Sequence, residues 1–303
     1  MKQNKQIKQM IFCFLTPAVL FFLLVFLYPV VRTIAMSFFY VEGVSDATST
    51  WQFIGLENYT TLMKTAIFRE SIKNMLKIWL WGGLITMSIS MLFAVILTSG
   101  VKFKDFYKAV IYIPNIINAV AISTMWMSAI FNKRFGFLHN FFDFLGSDLA
   151  TTDYMSGSIK FWTLLVAFCF GSVGYYMLIL MSGIERIPAD IYEAATIDGA
   201  SKPAQFRRIT LPLLTSVIKN CIVFWTVGVV GFFVWSQMWS APLPSELTTI
   251  TPFVYMYNIT FGTTGNADRN AAMGAAVGVL MAITVLFVFF AVNRLIKDED
   301  VEF

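Results

Sequence analysis

An all-α integral membrane protein with six transmembrane helices and a short cytoplasmic helix between spans four and five is the fold class this sequence predicts. Three observations carry the membrane part of that reading. Of 303 residues, 57% are hydrophobic and only 13% are charged, whereas soluble domains carry about 25% Asp, Glu, Lys and Arg. The 40 formal charges leave seven stretches of at least 21 residues free of those four residues, six of them predominantly apolar; roughly 20 apolar residues at ~1.5 Å rise cover ~30 Å of hydrocarbon. Basic residues are also unevenly shared between the segments that join these stretches, and a net charge of +4 is too small to point to nucleic acid as a partner.

The spans follow in order. Lys2, Lys5 and Lys8 precede the first, 11–31; its apolar run is too long for the h-region of a cleavable signal and has no small-residue cleavage site at its end. Arg69, Lys73 and Lys77 form an amphipathic approach to the second, 78–98. The third and fourth are 109–131 and 161–184, the fifth is 220–245 and the sixth is 270–293. A seventh uncharged stretch, 247–267, is dense in Thr, Asn and Gly and contains Pro252, which suits a folded loop better than a lipid-facing helix. Six spans put both termini on one side. Segments 1–10, 99–108, 185–219 and 294–303 hold 13 Lys and Arg in 65 residues, against 9 in the 99 residues of the other connections, so the first set is expected to be cytoplasmic and the chain multi-pass. A seventh span would put the acidic tail Asp298–Glu302 outside. No linker or repeat divides residues 1–303, which read as one domain. Gly274 and Gly278 make a small-xxx-small step on the last span, open to packing within the chain or at a subunit interface.

Several chemistries are disfavoured. Cys13, Cys169 and Cys221 sit in apolar runs with no CxxC spacing, and His139 has no second ligand nearby, so no metal site is expected. No GxxxxGK[ST] sequence and no Gly-Lys dipeptide occurs, so the chain is not expected to be an enzyme that holds nucleotide in a P-loop. The expected spans lack the ionisable relay usual in proton-coupled carriers. Paired carboxylates and Ser/His/Asp sets are missing from them as well. An ion-coupled secondary transporter using backbone carbonyls for Na⁺, or a membrane anchor of an extracellular complex, stays open on composition alone.

The segment 185–213 carries the most information. Pro188 suits the start of a helix and Gly199 the residue past its end, which predicts a short helix over 189–198. Ser201 is placed to cap a second short helix bearing Phe206 and Ile209, which Leu211-Pro212 is expected to end. Asp190, Glu193 and Asp198 with Ala194, Ala195 and Ile197 would then form a small-residue face with acidic points. A solvated connecting loop is the plain alternative. The series Glu193-Ala-Ala-x-x-Asp-Gly-Ala200 followed by Phe206, Ile209 and Leu211-Pro212 closely resembles the EAA loop of the inner-membrane permease subunits of binding-protein-dependent ABC importers. The flanks resemble the sugar-permease branch, of the maltose, glycerol-3-phosphate and oligosaccharide type. Thr16-Pro17, Tyr28-Pro29, Gly55-Leu56-Glu57-Asn58-Tyr59, Ile113-Pro114, Gly136 with Asn140, and Ala271-Ala272-Met273-Gly274-Ala275-Ala276 extend the likeness over most of the chain.

The resemblance implies a permease subunit of an ATP-driven importer, with Glu193, Ala194, Ala195, Asp198, Gly199 and Pro212 coupling it to the ATPase. It implies a second homologous permease, as a heterodimer, two cytoplasmic ATPase subunits that hold ATP and Mg, and an extracellular solute-binding protein, with membrane lipid around the spans. No cofactor is expected in this chain. An uncharged path can still bind a polar solute through amides, hydroxyls and aromatic faces. The candidates are Asn115, Asn118 and Trp126, then Ser172, Tyr175 and Tyr176, then Trp225, Ser236, Gln237 and Trp239, an inventory that suits a carbohydrate. Trp and Tyr also collect at membrane interfaces regardless of function. Gly171 and Gly174 would loosen the fourth helix or serve its packing. Departures from the family pattern are Ser240-Ala241-Pro242 for Gly-Gly-Pro, Gly231-Phe232 for Phe-Asp, and Thr215 for a proline, the last predicting a straighter approach to the fifth span.

Overall fold

Backbone amides in hydrocarbon must be paired within their own segment, and the apolar stretches accordingly fold as helices. The structure, a computed structural model of the chain, describes residues 2–240, 247–262 and 269–296. In chain order the helices are α1 (Met10–Met36), α2 (Glu57–Lys64), α3 (Ala66–Thr98), α4 (Lys104–Ile116), α5 (Ala119–Ile130), α6 (Phe137–Phe144) and α7 (Ile159–Ile184). They continue with α8 (Ala189–Ile197), α9 (Lys202–Leu213), α10 (Thr215–Val230), α11 (Val234–Ser240), α12 (Pro252–Phe261) and α13 (Ala271–Leu295). Strands β1 (Phe39–Tyr40) and β2 (Gln52–Phe53) pair antiparallel, Phe39 opposite Phe53. Among these, α1, α3, α7 and α13 are each long and apolar enough to cross a membrane unaided.

The third and fifth apolar stretches are not single rods. Helices α4 and α5 meet at 98°. Pro114 has no N–H to give to the last turn of α4, and Ile117 and Asn118 then take extended backbone with ψ of 135° and 136°. Asn118 Oδ1 accepts the Val120 amide at 2.8 Å and restarts the helix as α5. The fifth stretch starts earlier than expected, at Thr215, and its helix α10 stops at Val230. Gly231, a poor helix former, follows, and the Thr251 hydroxyl donates to the freed Phe232 carbonyl at 2.7 Å before α11 begins. The last part of that stretch, 241–245, with Ala241-Pro242, and the acidic tail lie outside the described residues.

The approach to α10 is not straight: α9 and α10 are bent by 67°. The break is Leu214, which is completely buried, and a Cβ on Gly183 would come within 2.7 Å of its Cδ2. Pro212 does not end α9 either. A π-turn over Phe206–Thr210 lets the Leu211 amide reach back five residues to Phe206, so the proline that follows enters the helix behind a widened turn and α9 runs on to Leu213. Pro29 in α1 sits behind the same device, the π-turn Leu23–Leu27, with the Tyr28 amide bonded to Leu23. Within 247–267, expected as loop, Pro252–Phe261 is helical, but its 10 residues rise only ~15 Å, half a bilayer.

The chain divides into two compact units. One comprises residues 1–66 and 255–282. There Asn58, 2% exposed, donates to the carbonyls of Ser37 and Phe39 at 2.9 and 2.8 Å, and the Ser37 and Tyr59 hydroxyls pair at 2.7 Å. The amides of Ala271 and Ala272 close onto the carbonyls of Glu42 and Val41. Gly274 faces Thr260, whose hydroxyl occupies the place a Cβ would take, so this small residue serves packing inside the chain. No side chain from Met10 to Met36 is buried.

The second unit, 67–254 with 283–303, is built around α7, buried on most of its surface. Ser90 of α3 donates to the Val173 carbonyl at 2.8 Å. Trp225 of α10 donates its indole N–H to the Trp79 carbonyl at 2.9 Å, and Trp79 donates to Thr226 Oγ1 at 2.9 Å. Gly82 and Gly83 make room for the Trp225 ring, since a Cβ on either would lie 2.9 or 2.8 Å from it. The α7 helix is unbroken across Gly171 and Gly174. At Gly174 the reason is packing: a Cβ there would stand 2.5 Å from the Ile111 carbonyl oxygen and 2.7 Å from Tyr112 Cα on α4, whereas at Gly171 the nearest atom, of Trp235, is at 3.5 Å. Gly174→Ala is therefore expected to lower the thermal midpoint of the detergent-solubilised protein by an overpacking cost of about 1–3 kcal/mol. Gly171→Ala should leave it nearly unchanged; equal effects would contradict this contact.

Candidate functional site

The local sequence builds a helical hairpin from 188 to 213. Pro188 stands at the N-cap of α8 with extended ψ of 137°, one residue ahead of the first helical position, and Asp190 lies in the first turn, where a negative charge meets the helix dipole favourably. At the other end Gly199 has φ of +78°. Its amide bonds to Thr196 at 3.0 Å and that of Ala200 to Ala195 at 2.9 Å, the paired bonds of a Schellman ending. Nothing lies within 4 Å of a Cβ built there, so the left-handed conformation, not space, demands glycine. Ser201 occupies the N-cap position of α9, but its side chain makes no capping bond; its carbonyl accepts the Gln205 amide at 2.9 Å instead.

Four side chains fasten the two helices to each other. Gln205, 3% exposed, donates to Thr196 Oγ1 at 2.9 Å and to the Ala200 carbonyl at 3.2 Å. The Tyr192 and Thr210 hydroxyls pair at 2.8 Å across the hairpin. A cleft of about 740 Å³ separates it from Val95, Thr98 and Ser99 at the end of α3, and Glu193 and Lys202 line it too. Glu193, Ala194 and Asp198 are exposed, Ala195 is half-buried, Ile197 is 86% exposed, and Pro212 is exposed farther along on α9. Beside the hairpin, Lys104 at the start of α4 and Glu185 at the end of α7 pair at 2.7 Å with both side chains solvated, so solvent screens the pair.

The residues suggested for a solute path separate into two kinds. Trp225 is 3% exposed and bonded to Trp79; Ser236 is fully buried and donates to the Thr249 carbonyl at 2.7 Å; Tyr176 is buried edge-on against Trp225 and Tyr175. These hold helices together. Ser172 spends its hydroxyl on the Phe168 carbonyl of its own helix, and Asn118 spends its oxygen on the α5 cap. Asn115 and Tyr175 are exposed, Asn115 reaching the Gly171 carbonyl at 3.3 Å. The second kind has unused polar atoms. Trp126 Nε1, Gln237 Oε1 and Trp239 Nε1 are buried with no hydrogen-bond partner among the described residues, and so is Ser123 Oγ. They come from α5 and α11, which pack on each other beside α7. Ser123 carried no sequence signal, being one hydroxyl in an apolar run, and Gln205 and Thr210 gave none because their partners come from a folded hairpin. Among the described residues no group of three or more His, Cys, Asp or Glu is arranged to hold a metal ion.

Residues 87–298 match the family described as the inner membrane component of binding-protein-dependent transport systems. The chain belongs to this family. As a member it is a membrane permease subunit and not an enzyme. It is 28% identical over 281 residues to a probable ABC transporter permease of Pyrococcus horikoshii, covering 92% of each chain. It is 27% identical to the arabinooligosaccharide transport permease of Bacillus subtilis, over 91% of this chain and 85% of that one. The probable permease for starch degradation products of Thermoanaerobacterium thermosulfurigenes is 26% identical, over 95% and 94%. The fold is similar to that of a chain from a bacterial ABC transporter that imports the polysaccharide alginate, with a TM-score of 0.81, 20% identity and coverage of 97% and 98%.

In this permease the hairpin bonds generate a measurable expectation. Tyr192→Phe removes one hydroxyl pair, about 1 kcal/mol, and should speed amide exchange in 189–198 several-fold. Gln205→Ala strips two bonds from a buried site and should speed it further. Unchanged exchange in both variants would show that the hairpin does not depend on these bonds.

Proposed function

We propose that this permease carries a carbohydrate, of oligosaccharide class, inward by alternating access, and that the hairpin 188–213 is its coupling element. The observation that carries the coupling role is the combination of an inner face bonded through Gln205, Tyr192 and Thr210 with solvent-exposed Glu193, Ala194, Ile197 and Asp198, of which Glu193 and Ile197 border the cleft beside α3. A rigid unit with an exposed small-residue face can be received in a groove of an ATPase and moved as one body. The ATPase is a separate pair of subunits holding ATP and Mg. A second homologous permease completes the pore and an extracellular solute-binding protein delivers the solute.

The membrane reading is a single permease domain over 1–303 with six spans: α1, α3, α7, α13, the bent pair α4 with α5, and α10 entered from α9. Both termini and the hairpin are cytoplasmic, on the basic-residue asymmetry. The carbohydrate class rests on relatives named for arabinooligosaccharides and starch degradation products, and on the chemistry of Trp126, Gln237, Trp239 and Ser123. Indole N–H groups, a hydroxyl and an amide oxygen with no protein partner offer donors and an acceptor to sugar hydroxyls once α11 parts from α5. Asn115, exposed on the last turn of α4, and Tyr175, exposed on α7, are placed as further contacts. A Na⁺-dependent carrier or a membrane anchor would need no coupling hairpin.

Purification from detergent should bring down an ATPase whose activity rises with loaded binding protein; uptake that survives ATP depletion and follows an ion gradient would overturn the reading. Glu193→Lys should abolish transport-coupled ATPase activity with membrane insertion intact, and normal uptake by that variant would remove the coupling role. Gln237→Leu should raise the KM for sugar uptake while leaving stimulation by loaded binding protein, and an unchanged KM would take Gln237 out of the path.

A further inference from the structure

Helix α6 stands between two membrane-crossing elements, seven residues after Ile130 and 15 before Ile159. Successive residues on a helix turn by about 100°, and its side chains sort into three sectors. Phe137, Phe141, Phe144 and Leu145 fall within one arc and are 59%, 47%, 87% and 58% exposed. Leu138, His139 and Phe142 are half-buried on the next arc, where His139 Nδ1 lies 2.8 Å from the Ala150 carbonyl and the helix packs on Asp148–Thr151. Asn140 and Asp143 are exposed on the third. A helix of a soluble surface needs two sectors, one against protein and one against water. The third sector here is an all-hydrocarbon stripe.

We propose that α6 is an interfacial anchor, with its Phe137, Phe141, Phe144 and Leu145 face set into the boundary of headgroups and acyl chains of the lipid bilayer. Three features favour lipid over a protein partner. The stripe is a face of bare phenyl and isobutyl groups, which matches hydrocarbon. Lys133 and Arg134, both exposed, immediately precede the helix, so their charge can complement headgroup phosphates. The short connections keep the helix close to the membrane surface whichever side it is on. Anchoring α6 would fix the bent α5 that leads into it, and with it the position of Trp126.

The proposal rests on the reading that α7 and the α4–α5 pair cross the bilayer, and the test separates the two. In the assembled transporter in liposomes, Cys13→Ser removes the exposed thiol, while Cys169 and Cys221 are buried. Nitroxide labels are then placed singly at Phe141→Cys, Phe144→Cys, Asn140→Cys and Asp143→Cys, with Val166→Cys, 51% exposed on α7, as the span control. Collision with oxygen, which partitions into lipid, is compared with collision with a water-soluble nickel chelate. The expected result is a several-fold higher oxygen-to-nickel ratio at 141 and 144 than at 140 and 143, with 166 also in lipid. A water signal at 141 and 144 with lipid at 166 overturns the anchor alone. Shielding of 141 and 144 from both reagents means that protein covers the stripe and overturns it too, and water at 166 removes the span reading and the anchor with it.

Discussion

The second unit of this permease depends on one wedge, the indole of Trp225 set against two glycines. Gly82 and Gly83 remove side chains from α3 where the ring lies, and the ring returns a hydrogen bond to the Trp79 carbonyl one turn earlier. The carbonyl is in a π-turn, Ile78–Gly82, where it also accepts the Gly83 amide and takes the indole donor on its second lone pair. Trp79 then bonds Thr226, so the two helices exchange indole donors over a short length. Within hydrocarbon there is no general force driving helices together, and contacts of this kind, with small residues allowing close approach, supply it. The close passage of α4 over Gly174 repeats the same logic on the other side of α7.

Breaks in the helices are as informative as the helices. The bend between α4 and α5, the bend at Leu214 and the stop at Val230 all fall around α7, and each freed backbone group that matters is taken by a named partner: Asn118 caps α5 and Thr251 bonds Phe232. Broken helices are tolerated at membrane depth only when protein resatisfies them. They also give short rigid pieces, α5 and α11 among them, that can change their mutual packing without unfolding. The unpartnered atoms of Trp126, Gln237, Trp239 and Ser123 lie on those two pieces. A buried polar atom without a partner costs about 1–3 kcal/mol, so this contact is a polar weak point of the second unit.

The hairpin was the part of the candidate site most legible in the sequence. Pro188 and Gly199 mark its first helix because one fixes φ and the other alone adopts φ of +78° at no cost, and both are properties of a single residue. Ser201 and Pro212 misled for the converse reason. Whether a serine side chain caps depends on where neighbouring donors point, and whether a proline ends a helix depends on the turn before it; the π-turn at Phe206–Thr210 has no single-residue signature. Trp225 and Ser236 belong with them: an indole or a hydroxyl reads as a ligand contact until a partner from a distant segment, here Trp79 or Thr249, is seen to consume it.

By itself the sequence determined the solvent of this protein, the number of apolar stretches, the place of the hairpin and the family it belongs to, because charge scarcity, run length and the Glu-Ala-Ala to Gly motif are local along the chain. Tertiary structure alone decided where those stretches break, which glycine is a contact and which is not, and which polar side chains remain unused. Gly171 and Gly174 are three residues apart on one helix and identical as residues; only the backbone of α4, which would stand 2.5 Å from a Cβ at Gly174, makes them different. Properties set by a residue and its neighbours in sequence can be read in order, and properties set by who arrives from elsewhere cannot.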